Sequence, residues 1–175
     1  MIDGAANNQN DEMLTFMMGE FEAEFPTDRL YAKNHMWATV ANANGGDQPV
    51  ALESSGTSKF RFGFTAYAVR LLQDVYFLDW MLEAPAVLST SQEIGSIESK
   101  KAESALFAPV DGQLIKLNEL LMEDPSAINT DKYTAGWLFE MQAEQPEFLT
   151  ATQYIELLDE VWAKTQRTIK GQLNE

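Results

Sequence analysis

The sequence predicts a mainly β domain with a helix at each end. Two observations predict it. Between residues 31 and 141 the apolar residues fall in short runs separated by turn-forming Gly, Pro, Asn, Asp and Ser. Outside that span the apolar residues step by three and four, which is the period of an amphipathic helix. A chain of 175 residues with 45% hydrophobic and 11% aromatic content can bury one good core. No apolar run approaches the length that spans a bilayer.

Residues 1–10 are polar and Asn-rich and read as a mobile tail. In 11–25, Leu14, Met17, Met18, Phe21 and Phe25 mark one helical face. Asp11 is its N-cap and Pro26 its stop, so the spacing predicts a helix docked on the core. Residues 31–41 read as a strand, with Met36, Ala38 and Val40 alternating and His35 inside it. Residues 42–59 carry Asn44-Gly45-Gly46-Asp47, Pro49 and Ser54-Ser55-Gly56, which is turn chemistry around a short strand at 50–52. Residues 60–64 form the next strand. Thr65 then caps a short helix reaching Gln73, with Ala68, Leu71 and Leu72 turned inward.

Residues 75–80 are strand-like again. Three further runs follow at 93–99, 104–108 and 113–117, with turns at 100–103 and 109–112. Asn118 caps a helical turn at 119–122, stopped before Pro125. A last strand is read at 136–141. Thr150 opens an amphipathic helix with Tyr154, Leu157, Leu158, Val161, Trp162 and Ile169 near one face.

Composition narrows the function. The formal charge is −15, from 27 acids against 12 bases. Such a surface repels phosphate backbones and anionic lipid, which argues against nucleic-acid and membrane partners. It favours encounter with basic patches on other proteins. Without cysteine there is no disulfide, thiolate metal site or Cys nucleophile. His35 is the single histidine, so multi-His metal sites cannot form, and a structural or surface role is expected for it. No phosphate-binding Gly loop or Ca²⁺ loop occurs. The first residues have no basic or apolar targeting pattern, and a cytoplasmic location is expected.

The informative stretch is Glu98-Ser99-Lys100-Lys101-Ala102, followed by Ala108-Pro109-Val110-Asp111-Gly112. It resembles the lipoylation hairpin of glycine-cleavage H proteins, whose usual form is E-S-V-K-A and then S/A-P-V-S/D-G. Tyr31-Ala32-Lys33-Asn34-His35-Met36-Trp37 is similar to the family's Y-T-K-D-H-E-W. Gly63-Phe64-Thr65-Ala66-Tyr67-Ala68 resembles G-I-T-D-Y-A, and Gln73-Asp74-Val75-Tyr76-Phe77 resembles G-D-I-V-F. Asn118-Glu119-Leu120, Pro125, Asn129 and Gly136-Trp137-Leu138 follow in family order. The resemblance covers roughly residues 30–142.

The resemblance implies a lipoyl/biotinyl-type hybrid barrel-sandwich with flanking helices. It divides the chain into an N-terminal extension with an amphipathic helix (1–29), a lipoyl-carrier domain (30–146) and a C-terminal helix (147–175). It puts covalent lipoic acid on Lys101 and assigns Glu98 and Gly112 to recognition by lipoylating enzymes. It implies a non-catalytic carrier that shuttles an aminomethyl group. Its partners would be glycine decarboxylase (P protein), aminomethyltransferase (T protein), dihydrolipoyl dehydrogenase (L protein) and the lipoylating enzymes. The loaded arm of the family folds into a surface cleft that shields it from water.

Some features depart from the family pattern. Lys100 fills a place usually small and apolar, so two amines stand at the tip, and spacing to Glu98 and Gly112 selects Lys101. Trp80-Met81-Leu82-Glu83-Ala84-Pro85 replaces L-P-E-V-G, and the 42–59 loop is longer. These changes keep two other readings open. One is an H-like lipoate-binding protein of another pathway, such as sulfur oxidation. The other is an unmodified H-like binding or regulatory module.

Overall fold

The computed structural model describes residues 12–41, 47–48, 57–144 and 146–173. The 1–10 tail, the Asp11 cap and the strand expected at 50–52 lie outside the described residues. So does the side chain of Ile169.

The expected N-terminal helix is instead a β-hairpin of β1 (Met13–Met18) and β2 (Phe21–Pro26), paired in register from Met18↔Phe21 to Met13↔Pro26. Phe16, Met18, Ala23 and Phe25 face inward, while Thr15, Met17, Glu22 and Glu24 face solvent. Gly19, at φ +68°, takes the first place of a two-residue turn that only glycine enters freely.

The strand expected over 31–41 is two strands, β3 (Leu30–Tyr31) and β4 (Met36–Ala41). Between them the chain turns at His35 (φ +70°), held by Ala32 N–H to Met36 O and Thr65 N–H to His35 O. A large sheet runs β3-β4-β6-β12-β11-β8, with β5 (Asp47–Gln48) on β4. Here β6 is Thr57–Phe64, β8 Ala86–Leu88, β11 Gly112–Leu117 and β12 Phe139–Glu144. The last strand thus starts three residues later than the pattern at 136–141 suggested. Trp137 and Leu138 are drawn into the approach to it, where Leu138 N–H bonds Phe62 O at 2.7 Å. Sequence reading did not find β8.

A smaller antiparallel sheet runs β10-β9-β7, with β7 at Val75–Trp80, β9 at Glu93–Ser99 and β10 at Glu103–Phe107. The two sheets share one core. Phe62, Phe139 and Met141 come from the large sheet, and Leu78, Ile94, Ile97 and Leu106 from the small one. Two one-turn helices, α2 (Leu120–Glu123) and α3 (Ala127–Thr130), add Leu121, Ala127 and Ile128 to that core. The Asn118 side chain accepts from Leu120 N–H, as expected of a cap. Helix α3 was not expected.

Helix α1 (Ala66–Leu72) is capped as read, with the Thr65 hydroxyl accepting from Ala68 N–H. Its inward face differs in part: Ala66, Tyr67 and Val69 are buried, Ala68 and Leu72 pack partly buried against the core as expected, and Leu71 is exposed. Helix α4 (Ala151–Leu173) buries Tyr154 and Leu158 in a second core with Phe16, Phe25, Tyr31, Trp37 and Tyr67. The hairpin and α4 therefore cover the side of the sandwich that presents Tyr31 and Trp37. Among the described residues, no helix is long and apolar enough to cross a membrane.

Candidate functional site

The small sheet ends in an exposed tip. Strands β9 and β10 pair as an antiparallel hairpin, with Ile97 opposite Ser104 and Glu98 opposite Glu103. Alternation sends Ile97 and Ser99 inward, at 1% and 4% exposure, and leaves Glu98 half-buried on the outer face. Leu106 and Leu78 join Ile97 in the core, so both arms of the hairpin are pinned from beneath. Gly95 is needed under the far half of β9, where a Cβ would come within 2.5 Å of Asp79 O and 3.2 Å of Trp80.

Three residues form the tip: Lys100, Lys101 and Ala102, all exposed. Lys100 N–H still reaches Asp74 O at 2.7 Å and so continues the ladder between β9 and β7. Lys101 is the first residue released from that ladder. Ser99 knots the tip together. Its backbone N–H donates to Ala102 O (2.9 Å), and its hydroxyl also donates to Ala102 O (3.0 Å). The same hydroxyl accepts from Lys101 N–H and Ala102 N–H, each at 3.3 Å. Among the described residues, neither lysine ammonium has a hydrogen-bond or ion-pair partner. A lysine that must enter another protein's active site has to be held this way, with its backbone fixed and its amine free.

The structure brings Lys101 and Glu98 to the same end of the hairpin. It does not bring Gly112 there. Gly112 lies past the opposite end of β10, and five β10 residues alone span roughly 13 Å at about 3.3 Å per residue. A local reason for glycine exists there, since a Cβ would collide with Gln142 O. Asp111 closes the adjoining turn by accepting from the N–H (2.7 Å) and hydroxyl (2.9 Å) of Thr90. Those bonds hold the Asp111 carboxyl below its usual range.

His35 takes no part in the tip. Its Nδ1 lies 2.8 Å from the Tyr154 hydroxyl, which lies 2.9 Å from the Thr65 hydroxyl. Burial pushes the imidazole down to about 4, so the ring is neutral near pH 7. Among the described residues, no group of acids and histidines is arranged to hold a metal ion.

An open cavity of about 1030 Å³ lies at the Gly112 end of the hairpin. Its walls combine Ala108, Val110 and Phe148 with the acids Asp111, Glu144 and Glu147, and among the described residues Lys33 is the one base in the lining. Sequence reading missed this cavity, because its lining comes from segments more than a hundred residues apart.

Comparison with known proteins gives one family. The family model described as glycine cleavage H-protein matches residues 29–161. A glycine cleavage system H protein of Salmonella paratyphi C is 32% identical over 139 residues, covering 77% of this chain and 96% of that protein. One from Methylacidiphilum infernorum is 33% identical over 139 residues, covering 78% and 94%. The crystal structure of a glycine cleavage system H protein from Mycobacterium marinum superposes with a TM-score of 0.57 at 34% identity. It covers 74% of this chain and 95% of that one.

Proposed function

The chain belongs to the glycine cleavage H-protein family, and from that membership we propose that it is a lipoyl carrier of glycine cleavage, with the arm on Lys101. The observation that carries the proposal is the tip itself. Lys101 is exposed, unpaired among the described residues, and set at the apex of a hairpin whose flanks are pinned in the core. That arrangement fits the attachment of an acyl arm.

In attachment, the Lys101 amine gives up a proton to a base and attacks an activated carboxyl carbon. A C–N amide bond forms, and the bond from carbon to the leaving group breaks with its electron pair leaving on that group. The lysine charge is lost, so the protein becomes one unit more negative. The attached lipoyl disulfide supplies reversible sulfur chemistry for carrying an aminomethyl group. The chain's own residues tether, present and shelter the arm. The cavity near Gly112 suits the sheltering role, because its apolar wall matches a hydrocarbon arm and its carboxylates match a cationic amine.

Glu98, one residue from the tip loop, fits recognition by the enzymes that load the arm. We assign Gly112 to the same recognition, at the start of β11, where its lack of a side chain lets the strand approach Gln142 O. The carrier itself performs no catalysis in this reading. It works in the cytoplasm with glycine decarboxylase, aminomethyltransferase and dihydrolipoyl dehydrogenase.

The test is aminomethylation of the lipoylated protein by glycine decarboxylase and labelled glycine. Transfer of label to the protein is the expected result. A lipoylated protein that stays unlabelled, while a Salmonella H protein is labelled in parallel, assigns the carrier to another pathway.

A further inference from the structure

The tip offers two adjacent exposed amines, yet a carrier needs its arm at one fixed place. We propose that the Ser99 hydroxyl is the positioning group that selects Lys101 over Lys100. This rests on the reading of Lys101 as the arm site.

In a tight hairpin turn, the N–H of the fourth residue ordinarily bonds the carbonyl of the first. Across Ser99 to Ala102 that acceptor is the Ser99 side chain. The hydroxyl takes the N–H groups of both Lys101 and Ala102 and returns its own proton to Ala102 O. Ser99 is 4% exposed and directed inward, so this acceptor is itself fixed by the core below. The Asp74 bond holds the backbone of Lys100, whereas the backbone of Lys101 is oriented by the Ser99 hydroxyl. Both 3.3 Å bonds are long, so each is modest, but they share one atom and are lost together. Without that atom the Ser99 N–H bond to Ala102 O still closes the loop, but Lys101 N–H loses its acceptor and nothing orients the Lys100–Lys101 linkage. Either amine can then be the one that enters a loading enzyme.

A purely structural serine would affect stability without changing which lysine is modified. The experiment therefore reads the site of modification. The full chain, purified unmodified, is loaded by a lipoate–protein ligase with lipoic acid and ATP. Each lysine's share is quantified by tandem mass spectrometry after reduction, and circular dichroism checks that each variant is folded. Wild type and Ser99→Thr, which keeps the hydroxyl, should carry the arm on Lys101. In Ser99→Ala the Lys101 to Lys100 ratio should fall by about fivefold or more, the selectivity that one ordinary net hydrogen bond controls. Ser99→Cys keeps the volume but offers only a weak acceptor, and should shift the ratio the same way.

Folded Ser99→Ala and Ser99→Cys proteins that load only Lys101 would overturn the inference and leave the carrier reading intact. Wild type loaded on Lys100 would overturn the selection of Lys101. A wild type that takes no arm, beside a Salmonella H protein that does, would sink the carrier reading on which the inference rests.

Discussion

At the scale of single residues, two positions decide how the molecule responds to perturbation. His35 is neutral when folded, with its pKa near 4 against an ordinary value near 6.5. The unfolded chain therefore binds the extra proton first, and unfolding is favoured as protons are added. The contribution of His35 is fully present above about pH 6.5 and is lost as pH falls toward 4, at up to about 1.4 kcal/mol per pH unit. Urea midpoints measured from pH 7.5 to 4 should show this slope, and His35→Gln should flatten it. Gly112 is the second. Adding a methyl group there meets Gln142 O, so Gly112→Ala should cost about 1–3 kcal/mol by denaturant unfolding. An unchanged midpoint would mean that the backbone yields at no cost. The exposed hairpin tip that carries Lys101 could be read from the sequence because its turn and flanking runs are local. The steric need for Gly112 could not, because Gln142 approaches from a strand thirty residues away in the chain. Nor could the turn at His35, whose positive φ is held by Thr65 from another segment.

Among the elements, the N-terminal hairpin shows how one sequence can offer two periods. Leu14, Met17, Met18, Phe21 and Phe25 fit a helical stripe, but that stripe leaves Phe16 and Ala23 outside. The alternating frame of Leu14, Phe16 and Met18 against Phe21, Ala23 and Phe25 turns all six to the core side, four of them buried and Leu14 and Phe21 partly so, and Gly19 supplies the turn. Residues 13–26 are rich in the helix formers Met, Leu, Glu and Ala, but propensity is a weak preference, and the burial of Phe16 and the mid-segment Gly19 override it. Gly19→Ala has open space for its methyl group but strains the positive φ, and should lower stability by about 1 kcal/mol. Gly19→Asn should be milder, and thermal melts of the two variants would rank them. The central strands and α1 were legible because period and cap agreed. Leu71 was misread because the inward face of α1 is set by packing against β2 and β6, which the helix sequence alone does not reveal.

For the whole molecule, the two cores divide the work. The core between the sheets holds the tip through Ile97 and Leu106, while the second, under the hairpin and α4, is built on Phe25, Tyr31 and Tyr154. Phe25→Leu should therefore lower the melting temperature by an amount worth about 1–2 kcal/mol and leave arm loading unchanged. Slowed loading in a folded Phe25→Leu protein would show that the second core reaches the tip. The barrel-sandwich follows from segments that keep family order. The cavity was invisible because residues 32–34, 108–111, 144 and 146–149 meet only in three dimensions. The account stands or falls on the intact mass of protein made in a lipoate-competent host, compared for wild type, Lys100→Arg and Lys101→Arg. It predicts a lipoyl increment on the first two and none on the third. An increment that survives Lys101→Arg, or is absent from all three, would contradict it.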